Sequence, residues 1–140
     1  MLVNSLKVNS SIFLKQVQIP DLQKLYKVVE DNQKDLKKWF PWASKHRLSL
    51  ENEKKFIEES LEKNKNGKGC DLIIYYDKQI AGMISLLDVK KRKKEAEIGY
   101  WLSAEYRGKG IVTKICKKLI RHCFIKLDFN KVFIAACVQS

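Results

Sequence analysis

Residues 97–112 read E-I-G-Y-W-L-S-A-E-Y-R-G-K-G-I-V and change character twice along their length. The stretch begins as an apolar strand, passes through a basic turn that contains Gly108 and Gly110, and enters a strongly periodic helix. A strand that joins a helix through such a turn exposes backbone N–H groups at the positive end of the helix. That arrangement binds phosphate oxygens, so the stretch predicts a phosphate site.

The composition indicates a single domain, residues 1–140, with an excess of positive charge. The chain has 140 residues, of which 45% are hydrophobic, and 28 Lys and Arg against 16 Asp and Glu give a net charge of +12. A chain of this length can bury a core without disulfides or metals. It contains no apolar run that could span a membrane and no signal-peptide pattern, which predicts a cytoplasmic protein. The charge favours an anionic partner, such as a nucleotide cofactor, an acidic protein, RNA or anionic lipid.

The cysteines predict buried thiols in a reducing compartment rather than a metal site. None of the four lies in a C-x-x-C pair, and the two histidines are far apart in sequence. Cys116 and Cys123 fall on the predicted buried side of one helix, and Cys137 falls in a strand. No ligand spacing supports zinc, so we expect no metal.

Hydrophobic periodicity divides the chain into strands and helices. The clearest element is a helix at 110–127, whose apolar residues recur on one face while lysines fill the other. The remaining predicted elements are a strand at 13–17, a helix at 21–32, a short helix at 36–43 broken at Pro41, a helix at 49–63 that begins after Ser49, and strands at 70–76, 79–87, 95–102 and 131–138. Residues 77–78 form a hairpin turn, and the basic residues at 89–94 form an exposed turn.

This order predicts an α/β (α+β) fold with a mixed sheet, in the order β-α-α-β-β-β-α-β. The strands at 70–76, 79–87 and 95–102 form an antiparallel meander. The final strand-helix-strand unit is parallel and right-handed, and the apolar segment 131–138 has the composition of a buried parallel strand.

Two common nucleotide-binding folds do not fit the glycine turn. A dinucleotide-binding fold requires G-x-G-x-x-G early in the chain and an acidic residue on the next strand. Here the turn follows three meander strands, the third glycine is absent, and the next strand carries no carboxylate. A P-loop requires G-x-x-x-x-G-K-[ST], which the chain lacks.

The turn instead resembles the acetyl-CoA motif Q/R-x-x-G-x-G/A of the GNAT superfamily of N-acetyltransferases. Residues 107–112 read R-G-K-G-I-V, so that Arg107 and Gly110 match and Val112 replaces the small residue usual at the last position. Segments 96–106 and 39–43 (W-F-P-W-A) are similar to the ribosomal-protein N-acetyltransferase, or RimJ/RimL-like, branch. The family is a mixed-sheet fold, as predicted above.

Family members continue after the last predicted strand with a helix and a closing hairpin. The resemblance therefore implies that the C-terminal helix and hairpin are missing from this chain. The last strand would then have an unprotected edge, which a partner copy could cover in a homodimer.

The resemblance implies that the quoted stretch binds acetyl-CoA. Backbone amides at 108–113 would hold the pyrophosphate, with the charge of Lys109 beside them. The strand before the turn would hydrogen-bond the pantetheine arm through its backbone, as if the arm were an added strand. The implied cofactor-binding residues are Tyr100, Trp101, Leu102, Arg107, Gly108, Lys109, Gly110, Ile111, Val112 and Thr113.

Acetyl transfer by direct attack needs a base for the amine and a donor for the developing oxyanion. The resemblance gives Glu97 as the base, directly or through a water, because related acetyltransferases carry a catalytic glutamate in a similar A-E-I sequence. The alternative is an ordinary strand glutamate paired with a lysine. By the same resemblance Trp39 and Trp42 flank the acceptor site, although both residues could equally be core aromatics.

The function implied is an acetyl-CoA-dependent N-acetyltransferase that acts on a primary amine, such as the N-terminus of a ribosomal protein. Three alternatives stay open: a small-amine acetyltransferase for polyamines or antibiotics, a CoA-binding module with impaired catalysis, and a basic nucleic-acid binder. The last lacks interleaved aromatic residues, and we expect neither direct DNA binding nor membrane contact.

Overall fold

The computed structural model describes residues 1–40, without the Trp39 side chain, and residues 49–135; these form a six-stranded mixed sheet with helices on both faces. The strands are β1 (Ser5–Lys7), β2 (Ile12–Gln16), β3 (Cys70–Tyr76), β4 (Gln79–Lys90), β5 (Glu95–Leu102) and β6 (Lys131–Ile134). The helices are α1 (Leu22–Asp31), α2 (Gln33–Trp39), α3 (Leu50–Lys65) and α4 (Ile111–Ile125).

The strands lie in the sheet in sequence order. Each of β1 to β4 pairs antiparallel with the strand that follows it. β6 pairs parallel with β5, from Glu95 opposite Lys131 to Ile98 opposite Ile134, and α4 provides the connection. The predicted fold class, the antiparallel meander and the parallel strand-helix-strand unit are therefore confirmed.

The predicted element order omitted one strand and one helix. β1 was missed because three residues are too short to show a period; it pairs with β2, with Leu6 opposite Leu14. The order also counted only two helices before the meander, whereas α1, α2 and α3 are separate. Asn32 divides α1 from α2 with φ −106° and ψ 12°, so α2 begins at Gln33 and not at residue 36.

The prediction that 131–138 is a buried strand was wrong for its described part. β6 is the last strand of the described sheet and has a neighbouring strand on one side only. Phe133 and Ile134, which point to opposite faces of the sheet, are 54% and 52% exposed. Residues 136–138 of the predicted strand, including Cys137, lie outside the described residues.

The sheet has a hydrophobic core on each face. On one face the α4 residues Ile115 and Leu119 pack with strand residues such as Ile98. On the other face the helices α1 and α3 contribute Leu25 and Ile57, which pack with Trp101. Successive strand residues point to opposite faces, so the two cores share β5.

The predicted N-cap of α3 and the predicted burial of the thiols are confirmed for the described residues. Ser49 caps α3, since its hydroxyl accepts a hydrogen bond from the Asn52 N–H at 3.1 Å. Cys70, Cys116 and Cys123 are buried thiols, as predicted. Burial raises the pKa of Cys70 to about 12 and that of Cys123 to about 11, which keeps both protonated and unreactive at neutral pH. None of the helices in the described residues is long and apolar enough to cross a membrane.

Candidate functional site

The turn between β5 and α4 holds its two glycines in the left-handed region. Gly108 has φ 77° and Gly110, the N-cap of α4, has φ 73°. A residue with a side chain would be strained in this conformation. A Cβ at either position would have no atom within 4 Å, so the turn is open beside its backbone. The backbone is therefore accessible to a ligand at both glycines.

The amides of this turn are available to an anion. Within the described residues, none of the backbone N–H groups of 108–113 donates to a protein acceptor. The first donor of the helix is the Lys114 N–H, which bonds the Gly110 carbonyl at 3.4 Å. The preceding amides lie at the positive end of the α4 dipole, where phosphate oxygens are favoured. The geometry thus fits a pyrophosphate group.

Lys109 adds a positive charge beside the turn. Its Nζ lies 5.9 Å from the ring centroid of Tyr76, at the end of β3. The Tyr76 ring is in turn 5.9 Å from the ring of Tyr106, in the short 3-10 turn that leads to the glycines. The lysine is exposed and its charge is not neutralised by any ion pair of the described residues.

The Arg107 side chain contacts protein groups on α2 and β5. Its Nη1 forms an ion pair with Oδ2 of Asp35 at 3.3 Å, and its Nη2 donates to the Leu102 carbonyl at 3.3 Å. The guanidinium is thereby held against α2. Direct contact between Arg107 and a pyrophosphate stays a prediction.

Alternation along β5 separates the three predicted pantetheine contacts. The Ala135 N–H donates to the Ile98 carbonyl at 2.8 Å, so Ile98 turns its backbone groups toward β6. Tyr100 and Leu102, at even spacing from Ile98, turn theirs toward the same edge, whereas Trp101 faces β4 opposite Met83. The Trp101 side chain is buried in the core. An extended arm along this edge would therefore meet the backbone of Tyr100 and Leu102.

Glu97 lies half-buried in the middle of β5. It is opposite Leu87 on β4 and Phe133 on β6, which are both apolar. No ion pair of the described residues includes Glu97, so the lysine-paired alternative has no support within that part of the chain. Glu97 precedes Leu102 by five residues, which corresponds to roughly 17 Å along β5. That is the order of length of an extended pantetheine arm.

The two remaining segments singled out in the sequence, the acceptor segment and the basic turn, have different outcomes. The acceptor-site prediction stays untested, because the Trp39 side chain and residues 41–48, which include Trp42, lie outside the described residues. The exposed turn predicted at 89–94 is found at 91–94 only, because β4 continues through Lys90. The turn lies at the end of β5 opposite the glycine turn. There Lys94 pairs with Asp128 at 3.0 Å.

The sequence reasoning missed the special position of Glu53 in the first turn of α3. Its side chain is half-buried, and the loss of solvation raises its pKa to about 7. Helical spacing could have revealed it, because Glu53, Ile57, Ser60 and Asn64 recur on the inner face of α3. Glu51, two residues earlier, is exposed.

We expect Glu53→Gln to stabilise the protein at pH 8 and to have much less effect at pH 5. A raised pKa means that the folded state favours the protonated acid. The contribution of Glu53 to folding stability is therefore complete at pH values below 4.5, its pKa in the unfolded chain, and is lost as pH rises through about 7. Glutamine mimics the protonated acid, and the gain at pH 8 is of the order of 3 kcal/mol at most. Thermal unfolding at the two pH values measures it, with exposed Glu51→Gln as the matched control. A gain that does not grow with pH would contradict the buried carboxylate.

The fold and this site define a class of protein. The family model described as acetyltransferase (GNAT) domain matches residues 11–139 of the chain. The chain therefore belongs to the GNAT acetyltransferase family, whose cofactor is acetyl-CoA, and it is an N-acetyltransferase.

Individual relatives agree with this assignment. YdaF of Bacillus subtilis (strain 168), named as a candidate ribosomal N-acetyltransferase, is 33% identical over 134 residues, which span 96% of this chain and 73% of YdaF. The crystal structure of the microcin C7 self-immunity acetyltransferase MccE with acetyl-CoA and AMP is 32% identical, with a TM-score of 0.83 over 95% of this chain and 73% of that one. The structure of RimL, a ribosomal L7/L12 α-N-protein acetyltransferase, with CoA has a TM-score of 0.89 over 94% of this chain and 73% of that one; at 22% identity it supports the fold alone.

Proposed function

We propose that this N-acetyltransferase modifies the N-terminal amine of a ribosomal protein in the cytoplasm. The observation that carries the cofactor half of the proposal is the open, left-handed glycine turn at the start of α4. The acceptor half is supported by the name of YdaF, which aligns with 96% of the chain. A homodimer stays a prediction.

The glycine turn and β5 bind different parts of acetyl-CoA in this proposal. Acetyl-CoA supplies an acetyl group activated as a thioester. The amides at 108–113 and Lys109 bind the pyrophosphate, while Tyr100 and Leu102 orient the pantetheine arm along the β5 edge. An N–H of this edge donates to the carbonyl oxygen as negative charge develops on it.

Glu97 is the proposed general base. It takes the proton that the acceptor ammonium loses, directly or through a water, so that the neutral amine can attack the carbonyl carbon. A C–N bond forms and the C–S bond breaks. The attacking nitrogen loses a second proton, which the leaving sulfur gains, so that CoA is released as the thiol. The register neighbours of Glu97 on β4 and β6 are apolar, and no ion pair of the described residues competes for its carboxylate.

A small amine is the second candidate acceptor. MccE aligns with 95% of the chain at 32% identity. Its name refers to self-immunity to microcin C7, not to a ribosomal substrate, and its crystal structure contains AMP.

An acceptor panel tests the proposal. We expect thiol release from acetyl-CoA with peptides that carry free ribosomal-protein N-termini, and none with the same peptides blocked by an N-terminal formyl group. Mass spectrometry should place the acetyl group on the α-amine. Release with polyamines or aminoglycosides alone would favour the small-amine alternative, and failure to bind millimolar CoA in calorimetry would overturn the cofactor site itself.

A further inference from the structure

We infer that Asn32 and Asp35, at the junction of α1 and α2, are positioning residues that preorganise the glycine turn for pyrophosphate. This inference rests on the proposed function, since it concerns the same cofactor site. Neither residue lies in the glycine turn, and both act on it through the segment 103–107, which joins β5 to that turn. We call the contacts between these two residues and that segment the α2 junction.

Asn32 uses both ends of its side-chain amide in the α2 junction. Its Nδ2 donates to the Ser103 hydroxyl at 2.9 Å and to the Val28 carbonyl at 2.8 Å. Its Oδ1 accepts from the Ala104 N–H at 3.0 Å. Ser103 is itself 5% exposed and donates its N–H to the Ala81 carbonyl of β4 at 2.7 Å. One side chain thereby ties the end of β5 to the break between two helices.

Asp35 provides the second contact, one helical turn further along. Its Oδ2 lies 3.3 Å from Nη1 of Arg107, and the two side chains are 37% and 25% exposed. The same guanidinium donates to the Leu102 carbonyl, so the ion pair also closes the segment back onto β5. A partly buried pair with additional hydrogen bonds is held in one geometry more firmly than an exposed surface pair.

Together these contacts fix the segment from Ser103 to Arg107, immediately before Gly108. Glycines at 108 and 110 give the turn the left-handed conformations it needs, but they also give it conformational freedom. A ligand that binds several amides must order them, and prior ordering lowers that cost. The α2 junction therefore sets the affinity for the pyrophosphate without contacting it.

Two variants and two ligands test the inference. We expect Asn32→Ala and Asp35→Asn each to raise the Kd of CoA about tenfold in calorimetry, or about 1.4 kcal/mol of binding free energy. Pantetheine, which lacks the pyrophosphate, should bind the variants and the wild type equally in an NMR titration. Asp35→Glu should retain most of the CoA affinity, because it keeps the charge.

The control is Asp31→Asn. Asp31 is an exposed carboxylate at the end of α1 that pairs with Lys27 at 3.8 Å, and no recorded ion pair of the described residues joins it to the segment 103–107. The CoA affinity of Asp31→Asn should equal that of the wild type.

Equal losses of affinity for CoA and for pantetheine in Asn32→Ala and Asp35→Asn would reduce the α2 junction to a general structural role and overturn the inference. Unchanged CoA affinity in both variants would overturn it while leaving the proposed function intact, whereas a wild type that binds no CoA would overturn both.

Discussion

Gly110→Glu should reduce the affinity for CoA by at least about a hundredfold, since a side chain and a charge both act against binding. The position has φ 73°, so any side chain there is strained. The carboxylate would enter the open space beside the turn, where the pyrophosphate oxygens are expected, and would repel them. Calorimetric titration with CoA measures the loss.

A matched pair of alanine variants separates this effect from instability. Gly67, in the loop between α3 and β3, has φ 70° and is also left-handed. A Cβ there would meet only the flexible end of Lys91, at 2.8 Å. Gly110→Ala and Gly67→Ala should each lose about 1 kcal/mol of unfolding free energy. CoA binding should weaken in Gly110→Ala alone; a Gly110→Glu variant with wild-type affinity would show that the turn is not the site.

Strong local patterns made much of the fold predictable. The apolar face of α4 repeats over four turns, and the hairpin between β3 and β4 is marked by a short polar turn between two apolar runs. Both elements were predicted within a few residues of their observed bounds. Periodicity also placed Cys116 and Cys123 in the core.

Weak local patterns account for the errors. β1 has three residues and exists because β2 offers it a partner strand, which the residues of β1 do not encode. The break at Asn32 is stabilised by Ser103 and Ala104, which are distant in sequence. The exposure of β6 depends on which elements cover it, and composition alone does not report this.

In the candidate site, too, features with a local sequence pattern were predictable and a contact between distant residues was not. The glycine motif revealed the phosphate turn, because left-handed glycines before a helix have a local signature. The period-two alternation of a strand is also a local property, and it is sufficient to separate Trp101 from Tyr100 and Leu102. The pairing of Arg107 with Asp35 could not be foreseen, since 72 residues separate the two side chains.

Glu97→Gln should lower kcat about 10²- to 10⁴-fold while leaving the Kd of CoA unchanged. Glutamine keeps the size and polarity of the side chain but cannot take the proton from the acceptor ammonium. The proposed cofactor contacts, in contrast, lie at the other end of β5 and do not involve this side chain. Thiol release with an active acceptor measures kcat, and calorimetry measures CoA binding; unchanged turnover would remove Glu97 from the role of base.

Glu95→Gln is the control that makes this result interpretable. Glu95 lies on the same strand and the same face, two residues before Glu97, and is also half-buried. Its register neighbours are Lys90 and Lys131, whereas those of Glu97 are Leu87 and Phe133. Glu95 is therefore the glutamate with a lysine opposite it on each neighbouring strand, and it lies roughly 7 Å further from the cofactor turn. Only Glu97 combines apolar neighbours with the nearer position. We therefore expect kcat to fall in Glu97→Gln and to be retained in Glu95→Gln. Equal losses of kcat in the two variants would show that the strand needs its charges for structure and not for proton transfer.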